Sequence, residues 1–301
     1  MTLETAFEQF IEFKKLQGLA ETSINCYRSF VTPFLEMVGF EYEISSVTES
    51  AIHNYISSLF DRDISKSTRA TYVRHLKCFL NWMKKYLDTD LYTDRIIVPK
   101  SNKKVLRIYD DEDIALIFRT IEAENEWLTA RNCAMVALML DSGLRQGEVC
   151  DLLTDNIFFN KSMLKVCGKG DKERIVPLGN IATYYMKQYS SLCPYHDTYF
   201  FLSRRGEPVT RDAVKHFMWK LAQKLPFEFS SHKLRHNFAT NYCIDQYEKH
   251  GFVDIYKLMI LMGHEDVKTT NRYLHIANQI IVSRESVSHI DKIFQHLQGI
   301  S

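Results

Sequence analysis

Four short segments of the sequence hold positively charged side chains, histidines and a tyrosine that together could act on a phosphate. The segments are SGLRQGEV, GKGDKER, HKLRHNFAT and LMGHEDVKTTNRYLH, and the side chains in question are Arg145, Lys169, His232, Arg235, His264 and Tyr273. A phosphodiester under attack spreads negative charge over its nonbridging oxygens, and fixed cationic donors can stabilise that charge where Mg²⁺ otherwise would. The sequence contains no obvious acidic cluster for Mg²⁺, so the set fits transfer of a phosphoryl group to a protein hydroxyl without a metal ion or an organic cofactor.

The first two segments also have ordinary structural explanations. A helix opened by Ser142 or Gly143 would carry Arg145 in its first turn, where a guanidinium and free backbone N–H groups can bind one anion. The alternative is a surface salt bridge from Arg145 to Glu148, one turn further on. Glycines flank Lys169 and place it near the tip of a hairpin, where it is either a solvated charge or a proton donor on a flexible stem.

The third segment predicts a helix with polar side chains on one face. Ser230 or Ser231 can serve as its N-cap. The i, i+3 spacing places His232 and Arg235 on the same face, with His236 adjacent. Such a face offers a proton acceptor beside a cation that binds phosphate, and the alternative is a set of structural histidines held by hydrogen bonds.

The fourth segment contains a helix junction followed by a second helix. Gly263 ends the first helix, so His264 lies at the junction, and Tyr273 follows about two turns into the next helix. Helical spacing does not determine the direction of the Tyr273 ring. The residue is either a core aromatic or a nucleophile, and covalent chemistry on tyrosine is among the rarer options.

The N-terminal part of the chain favours a small helical domain. Apolar residues recur at helical spacing near the N-terminus, and two further helices follow, the second of them after Thr48. The fourth helix is amphipathic and basic, and Ser67 can cap it. The pattern then lapses into an extended basic segment around Pro99. We therefore expect a helical core-binding domain over residues 1–93 and a basic linker over residues 94–107.

The rest of the chain, residues 108–301, predicts a second domain that is mainly helical. Two strand-like runs, SMLKVC and ERIVPLG, surround the turn-forming GKGDK and indicate a β-hairpin. A further short strand is expected at TYFFL, and helices complete the chain. The predicted fold class is therefore mainly α with a small β-sheet (α+β).

The charge distribution is uneven although the net charge is only +1. There are 3 basic and 9 acidic residues before Arg62, whereas there are 12 basic and 4 acidic residues from Arg62 to Arg107. A basic block of this kind fits a surface for a polyanion such as DNA, whose counterions are released on binding. The alternative is a solvated helix face followed by a basic linker.

The composition and the N-terminus indicate a cytoplasmic protein without membrane association. With 46% hydrophobic residues the chain can bury substantial cores, and it has neither a signal-peptide pattern nor an apolar run of membrane-spanning length. Its 7 cysteines are scattered without the spacing of metal ligands, which is typical of reduced thiols.

The order and spacing of the four segments resemble those of the tyrosine recombinases, the phage integrase family. SGLRQGEV is similar to the family's first arginine box, GKGDKERIVPLG to its lysine hairpin, HKLRHNFAT to its H-x-x-R box and LMGHEDVKTTNRYLH to its tyrosine box. The resemblance covers nearly the whole chain and implies a SAM-like core-binding domain before the catalytic domain. In size the chain is similar to Xer-type recombinases, transposon-encoded resolvases and simple integrases.

The resemblance also implies a role for each side chain. Tyr273 would attack a scissile phosphate to give a 3′-phosphotyrosyl link, and the freed 5′-hydroxyl would then attack the corresponding link in a partner duplex. The remaining roles are a phosphate clamp for Arg145 and Arg235, a hydrogen-bond donor for His264, the acceptor of the tyrosine proton for His232, and the proton donor to the leaving 5′-oxygen for Lys169. Neither ATP nor a metal ion is needed, because the intermediate retains the bond energy.

The implied partners are a double-stranded DNA recombination site and further copies of the chain, which form a tetramer on DNA. The two domains would clamp the duplex, and accessory proteins can take part. The tail after Tyr273 suits docking into a neighbouring protomer or packing on its own domain. The proposed DNA contacts, for which a solvated surface is the alternative, are Arg69, Arg74, Lys77, Arg204, Arg205 and Arg211.

The implied activity is site-specific recombination. It would serve integration and excision of a mobile element, or resolution of dimers or cointegrates. Two other classes remain open on the residues alone: DNA relaxation of the type IB topoisomerase kind, and a DNA-binding regulator without chemistry.

Overall fold

The computed structural model describes residues 1–100, 107–168 and 172–285. The chain divides into two compact units, Met1–Val105 and Leu106–Ser301, and each has its own apolar core. Lys169 and the tail from residue 286 onwards lie outside the described residues, as does part of the predicted linker. None of the helices in the described ranges has the length and apolar composition needed to cross a membrane.

The first unit is a bundle of helices. Within residues 1–100 its α-helices are α1 (Leu3–Leu16), α2 (Glu21–Val38), α3 (Glu49–Asp61) and α4 (Lys66–Tyr86). Their apolar faces meet in one core that includes Phe10 and Phe79. The Thr48 side chain caps α3, as predicted. The α4 helix begins earlier than predicted, because Ser65 rather than Ser67 accepts the hydrogen bond from a first-turn N–H.

The second unit is mainly helical with one small sheet, which confirms the predicted fold class. In its described residues the helices are α5 (Asp111–Thr120), α6 (Glu126–Asp141), α7 (Gln146–Cys150), α8 (Asn180–Leu192), α9 (Arg211–Lys224), α10 (Ser231–His250), α11 (Ile255–Met262) and α12 (Val267–Glu285). The strands are β1 (Ile157–Phe158), β2 (Met163–Cys167) and β3 (Glu173–Pro177), antiparallel in the order β1, β2, β3. The predicted hairpin is β2 and β3, and its register pairs Leu164 with Val176.

One local prediction in this unit is wrong, because TYFFL does not form a strand. Tyr199 makes an isolated bridge with Leu153, and Leu202 makes another with Pro208. The apolar run reflects burial instead, since Phe201 is fully enclosed in the main core. A short apolar run is equally compatible with a buried strand and with other buried backbone.

Helix α10 connects the two apolar clusters of the second unit. It packs against α6, whose residues from Cys133 to Met139 are all buried in the main core. It also packs against α11 and α12, and those three helices enclose a separate cluster that includes Phe238, Met262 and Tyr273. The predicted site residues on α10 and α12 are therefore brought together by apolar packing between these helices.

Candidate active site

The site begins at the N-terminus of α7, where Arg145 is the N-cap rather than a residue of the first turn. Its backbone N–H donates to Glu148 Oε2 at 2.7 Å, and its Nη1 donates to Glu148 Oε1 at 2.8 Å. The glutamate turns back towards the helix end, as in a capping box, and the residue is 6% exposed. The salt bridge considered from the sequence thus forms, but its carboxylate is buried rather than on the surface.

Glu148 is the common anionic partner of three arginines. Arg174 on β3 donates from Nη1 and Nη2 to the two carboxylate oxygens at 2.7 and 2.8 Å, and Arg235 Nη1 lies 3.8 Å from Oε2. Burial alone would raise the pKa of Glu148, but the Arg174 hydrogen bonds and the nearby positive charges outweigh it and lower the pKa. With Arg145 as the third cation, one negative charge faces three positive ones, and the excess of positive charge suits an anionic ligand.

Arg235 extends from α10 into this cluster and is 5% exposed. Its Nη1 donates to the Gly143 carbonyl, and its Nη2 donates to the Met262 carbonyl. Gly143 has a φ of +64°, and a Cβ at this position would lie 2.3 Å from the Phe238 ring, so the turn requires glycine. Burial, followed by the charge of Arg145, lowers the pKa of Arg235. A guanidinium has five N–H donors, so further donors remain for an oxyanion.

The turn after α11 holds His264 beside the arginines. Gly263 ends α11 with a φ of +57°, as predicted, and its carbonyl accepts a hydrogen bond from Arg145 Nη2 at 3.0 Å. His264 Nδ1 lies 2.9 Å from Thr270 Oγ1, and Nε2 lies 3.5 Å from Arg235 Nη2. If the buried hydroxyl donates to Nδ1, the imidazole proton is on Nε2 and is available to a ligand next to Arg235.

Tyr273 has a buried ring and a hydroxyl in a polar environment. The residue is 1% exposed, and its ring stacks on that of His264 with centroids 6.1 Å apart. Its hydroxyl oxygen lies 2.7 Å from His236 Nδ1 and accepts a hydrogen bond from Arg272 Nη2 at 3.0 Å. The two interpretations of the sequence are therefore compatible, because the ring is a core aromatic while the hydroxyl reaches the histidines and arginines.

His232 is not the histidine that contacts Tyr273. It lies one turn before His236 on α10, its side chain is exposed, and it has no hydrogen bond within the part of the chain that the structure describes. His232 and Arg235 are spaced i, i+3 on the helix, as predicted. The histidine at hydrogen-bond distance from the Tyr273 hydroxyl is instead His236, on the next turn.

Lys169 lies outside the described residues, although the residues around it border the site. Its near neighbours Gly168 and Lys172 line an open cleft, and the same cleft is lined by Arg145 and His264. The described residues on either side of Lys169 therefore border this cleft.

Sequence reasoning assigned no role to Arg174, His236 or Arg272. Alternation along β3 could have indicated Arg174, because it shares a face with the buried Val176, and a cation at an inward position needs a buried partner. His236 adjoins Arg235, but the spacing did not distinguish it from His232. No sequence signal indicates Arg272, since its contact depends on how α12 packs against α10.

Both imidazoles near Tyr273 are held in the neutral form. Burial, followed by the charge of Arg272, lowers the pKa of His236 to about 4. Burial, followed by the charge of Arg235, lowers the pKa of His264 to about 4. At neutral pH each ring therefore has one nitrogen that can accept a proton or a hydrogen bond.

These two histidines are expected to reduce stability at acidic pH. Because their folded pKa values lie below the value of about 6.5 for a free imidazole, the unfolded chain binds more protons between about pH 4 and 7, and the free energy of unfolding falls as pH is lowered through that range. Thermal denaturation between pH 7 and 5 should show a shallower fall in Tm for the variant His236→Asn, His264→Asn than for the natural chain. The exposed pair His53→Asn, His196→Asn serves as the control, and equal slopes for the two double variants would contradict the expectation.

Three of the proposed DNA contacts lie on α4 in the first unit. Arg69 Nε donates to the Leu59 carbonyl at 2.8 Å, and Lys77 Nζ donates to the Ile96 carbonyl at 3.0 Å. Arg74 is exposed. Two of the three cations are thus partly engaged within their own unit, and all three stay predictions as DNA contacts.

The other three proposed contacts lie in the second unit. Arg204 pairs with Glu124 at 3.1 Å and Arg211 with Asp151 at 2.6 Å, and Arg205 is exposed. Exposed ion pairs of this kind contribute little to stability, so a phosphate could replace the carboxylate at small cost. These residues also stay predictions.

The chain is a tyrosine recombinase, as its helical fold and the arrangement of its arginines, histidine and tyrosine indicate. It belongs to the phage integrase family: residues 107–279 match that family, and residues 6–91 match the SAM-like N-terminal domain of phage integrases. Among known proteins it is similar to tyrosine recombinase XerC of Staphylococcus carnosus, with 26% identity over 282 residues that cover 90% of this chain and 93% of that protein. It is 28% identical to tyrosine recombinase XerD of Proteus mirabilis over 289 residues, 92% of this chain and 90% of that protein.

Solved structures share the same fold at low sequence identity. The Tn1549 transposon integrase in complex with transposon right end DNA has a TM-score of 0.71 and 14% identity, covering 95% of this chain and 100% of that chain. A lambda integrase dimer bound to a COC′ core site has a TM-score of 0.71 and 17% identity, covering 91% of this chain and 95% of that chain. Site-specific recombination is therefore the activity of this chain's family and its relatives, and the roles of individual residues follow as proposals.

Proposed function

We propose that this chain cleaves and rejoins DNA at a specific site through a 3′-phosphotyrosyl link to Tyr273. The observation that carries the proposal is the convergence of Arg145, Arg235, His264 and Tyr273 from α7, α10, the turn after α11 and α12. The cluster has more positive than negative charge, and it lies beside a hydroxyl that can act as a nucleophile. This combination matches the charge that develops when a phosphodiester is attacked.

The arginines would bind the nonbridging oxygens of the scissile phosphate. Arg145 and Arg235 are each held by a backbone carbonyl, Gly263 O for the first and Gly143 O for the second, so their planes are fixed before DNA arrives. Fixed donors do not have to reorganise during the reaction. His264 would add a hydrogen bond from Nε2, and Lys169 would protonate the leaving 5′-oxygen.

The DNA partner and the assembly belong to the same proposal. Residues 1–93 would form a DNA-binding helical domain, residues 94–107 a basic linker, and residues 108–301 the catalytic domain. A lambda integrase tetramer is known bound to a Holliday junction, with a TM-score of 0.71 to this chain, and four copies of this chain would assemble in the same way. Accessory proteins can take part. The substrate would be the ends of a mobile element or a site at which dimers or cointegrates are resolved.

The nucleophile is tested by covalent capture. Fragments of genomic DNA that become attached to the protein identify a target duplex, which is then remade with a nick near the captured phosphate so that cleavage cannot be reversed. The natural chain should attach covalently to this duplex. Tyr273→Phe should not attach, because phenylalanine lacks the hydroxyl oxygen that would attack the phosphate.

Two controls separate the competing functions. Tyr242→Phe, which alters a partly buried tyrosine in the same apolar cluster, should attach at the natural rate. Attachment by Tyr273→Phe would overturn the assignment of the nucleophile. Relaxation of supercoiled DNA by monomers without strand exchange would favour the topoisomerase alternative instead, and binding without any attachment would favour the regulator.

A further inference from the structure

The hydroxyl of Tyr273 is held by residues outside the set that the family resemblance supplies. His236 Nδ1 lies 2.7 Å from the hydroxyl oxygen, which is the distance of a direct hydrogen bond between an O–H donor and a ring nitrogen. Arg272 Nη2 donates to the same oxygen at 3.0 Å and lies 3.1 Å from each ring nitrogen of His236. The phenol thus has an acceptor for its proton and a donor for its oxygen in direct contact.

The position of His236 on α10 explains why it, rather than His232, reaches the phenol. Ser230 caps α10, and His232 in the first turn remains exposed at the end of the helix. His236 is one turn deeper, where α10 packs against α12 and the Tyr273 ring is enclosed. The residue before it, Arg235, extends into the cluster of arginines around Glu148. Adjacent positions on one helix therefore contact the proposed phosphate site and the proposed nucleophile.

We propose that His236 is the catalytic acceptor of the Tyr273 proton and that Arg272 stabilises the phenolate oxygen. The inference rests on the proposed role of Tyr273 as nucleophile. In cleavage the Tyr273 O–H bond breaks and its proton moves to His236 Nδ1. The freed electron pair of the phenol oxygen forms the bond to phosphorus, while the bond from phosphorus to the 5′-oxygen breaks and that oxygen takes up the proton that Lys169 is proposed to donate. Rejoining reverses these steps, and His236 returns the proton to the phenol.

The charges around His236 make this acceptor dependent on DNA. The titratable and charged groups that act on its ring are Tyr273, Arg272, His232 and Arg235. In the free protein burial, followed by the positive groups, disfavours an imidazolium, so the His236 ring remains neutral. A bound phosphate adds negative charge next to Arg235, which offsets the cationic field and makes proton transfer to His236 more favourable. The tyrosine therefore becomes nucleophilic when the scissile phosphate is in place.

The competing explanation is that His236 and Arg272 only hold Tyr273 in a buried, inactive position. The 1% exposure of Tyr273 is compatible with such a latch. The two explanations predict opposite effects, because removal of an acceptor slows attack while removal of a latch accelerates it.

The test compares His236→Asn with His232→Asn in single-turnover attachment to the nicked duplex. An asparagine amide oxygen can accept the phenol hydrogen bond but cannot take up its proton. We expect His236→Asn to slow attachment by about 10²-fold or more near pH 7, the range of a lost general base. The defect should shrink as pH rises, because hydroxide in solution then takes the place of the acceptor. Any defect of His232→Asn should be the same at every pH.

A substrate with sulfur in place of the bridging 5′-oxygen distinguishes the two proton transfers, the one from Tyr273 to its acceptor and the one to the leaving group. A thiolate leaves without needing a proton, so this substrate should rescue Lys169→Ala but not His236→Asn. Arg272→Gln, at an exposed position, provides a second variant with little risk to folding, and it should also attach more slowly than the natural chain.

Four results would overturn the proposal. For His236→Asn they are attachment at or above the natural rate and a defect that does not depend on pH. The other two are a pH-dependent defect in His232→Asn instead and faster attachment by Arg272→Gln. Attachment by Tyr273→Phe is a separate result that would remove the proposed function itself.

Discussion

Replacing Arg235 with lysine is expected to slow covalent attachment to DNA by about 10²- to 10³-fold, although the charge is retained. The guanidinium binds the Gly143 and Met262 carbonyls through separate nitrogens and still has N–H groups for a phosphate. A lysine ammonium is a single point of charge and cannot bind both carbonyls while also donating to two oxygens of a phosphate. The expected loss therefore comes from the geometry of the donor rather than from its charge.

The measurement is the single-turnover rate on the nicked duplex, with DNA affinity determined separately at the same salt concentration. Arg119→Lys, at an exposed position on α5, is the matched control and should attach at the natural rate. A rate for Arg235→Lys within about threefold of the natural chain would show that a positive charge alone is sufficient, and the proposed dependence on guanidinium geometry would be wrong.

Replacing Glu148 with glutamine is expected to lower the free energy of unfolding of the second unit by about 3–5 kcal/mol. The carboxylate is 5% exposed and accepts hydrogen bonds from Arg145 and Arg174. The isosteric amide removes the only anion that the structure records in contact with these two arginines among the described residues. The positive charges, of which that of Arg174 is 8% exposed, are then left to repel one another. Breaking one partner of a buried pair is costly because the remaining charge is poorly solvated.

Unfolding of the second unit can be followed by the fluorescence of its own tryptophans. Trp127 and Trp219 lie in that unit, and the Trp82→Phe background removes the signal of the first unit. The control is Glu173→Gln on β3, which breaks an exposed pair with Lys165 at 3.0 Å and should change stability by at most about 1 kcal/mol. Equal urea midpoints for the two variants would mean that Glu148 does not balance the arginine cluster.

Bound phosphate should moderate the effect of the Glu148 substitution. An anion in the cluster supplies the negative charge that the variant lacks, so DNA binding is expected to stabilise Glu148→Gln more than it stabilises the natural chain. The same charge balance explains why the free site combines a buried carboxylate with three arginines: the carboxylate fixes their positions, while the excess of positive charge remains for the ligand.

Much of the local structure follows from the sequence, because it depends on contacts within a few residues. The cap at Thr48, the hairpin of β2 and β3 and the end of α11 at Gly263 were all predicted from short-range patterns. The errors also have local causes. Ser67 was predicted to cap α4, but Ser65, two residues earlier, forms the cap, and the apolar run at TYFFL is buried without pairing as a strand.

The sequence by itself determined the family of this protein, since the order and spacing of the segments that hold Arg145, His264 and Tyr273 resemble those of the tyrosine recombinases. Only the tertiary structure decided which groups these side chains contact. Spacing along α10 permits either His232 or His236 to face a ligand, and the packing of α10 against α12 selects His236 as the partner of the phenol. Contacts within a helix are set by its period, whereas contacts between helices depend on how their apolar faces pack, which no single segment encodes.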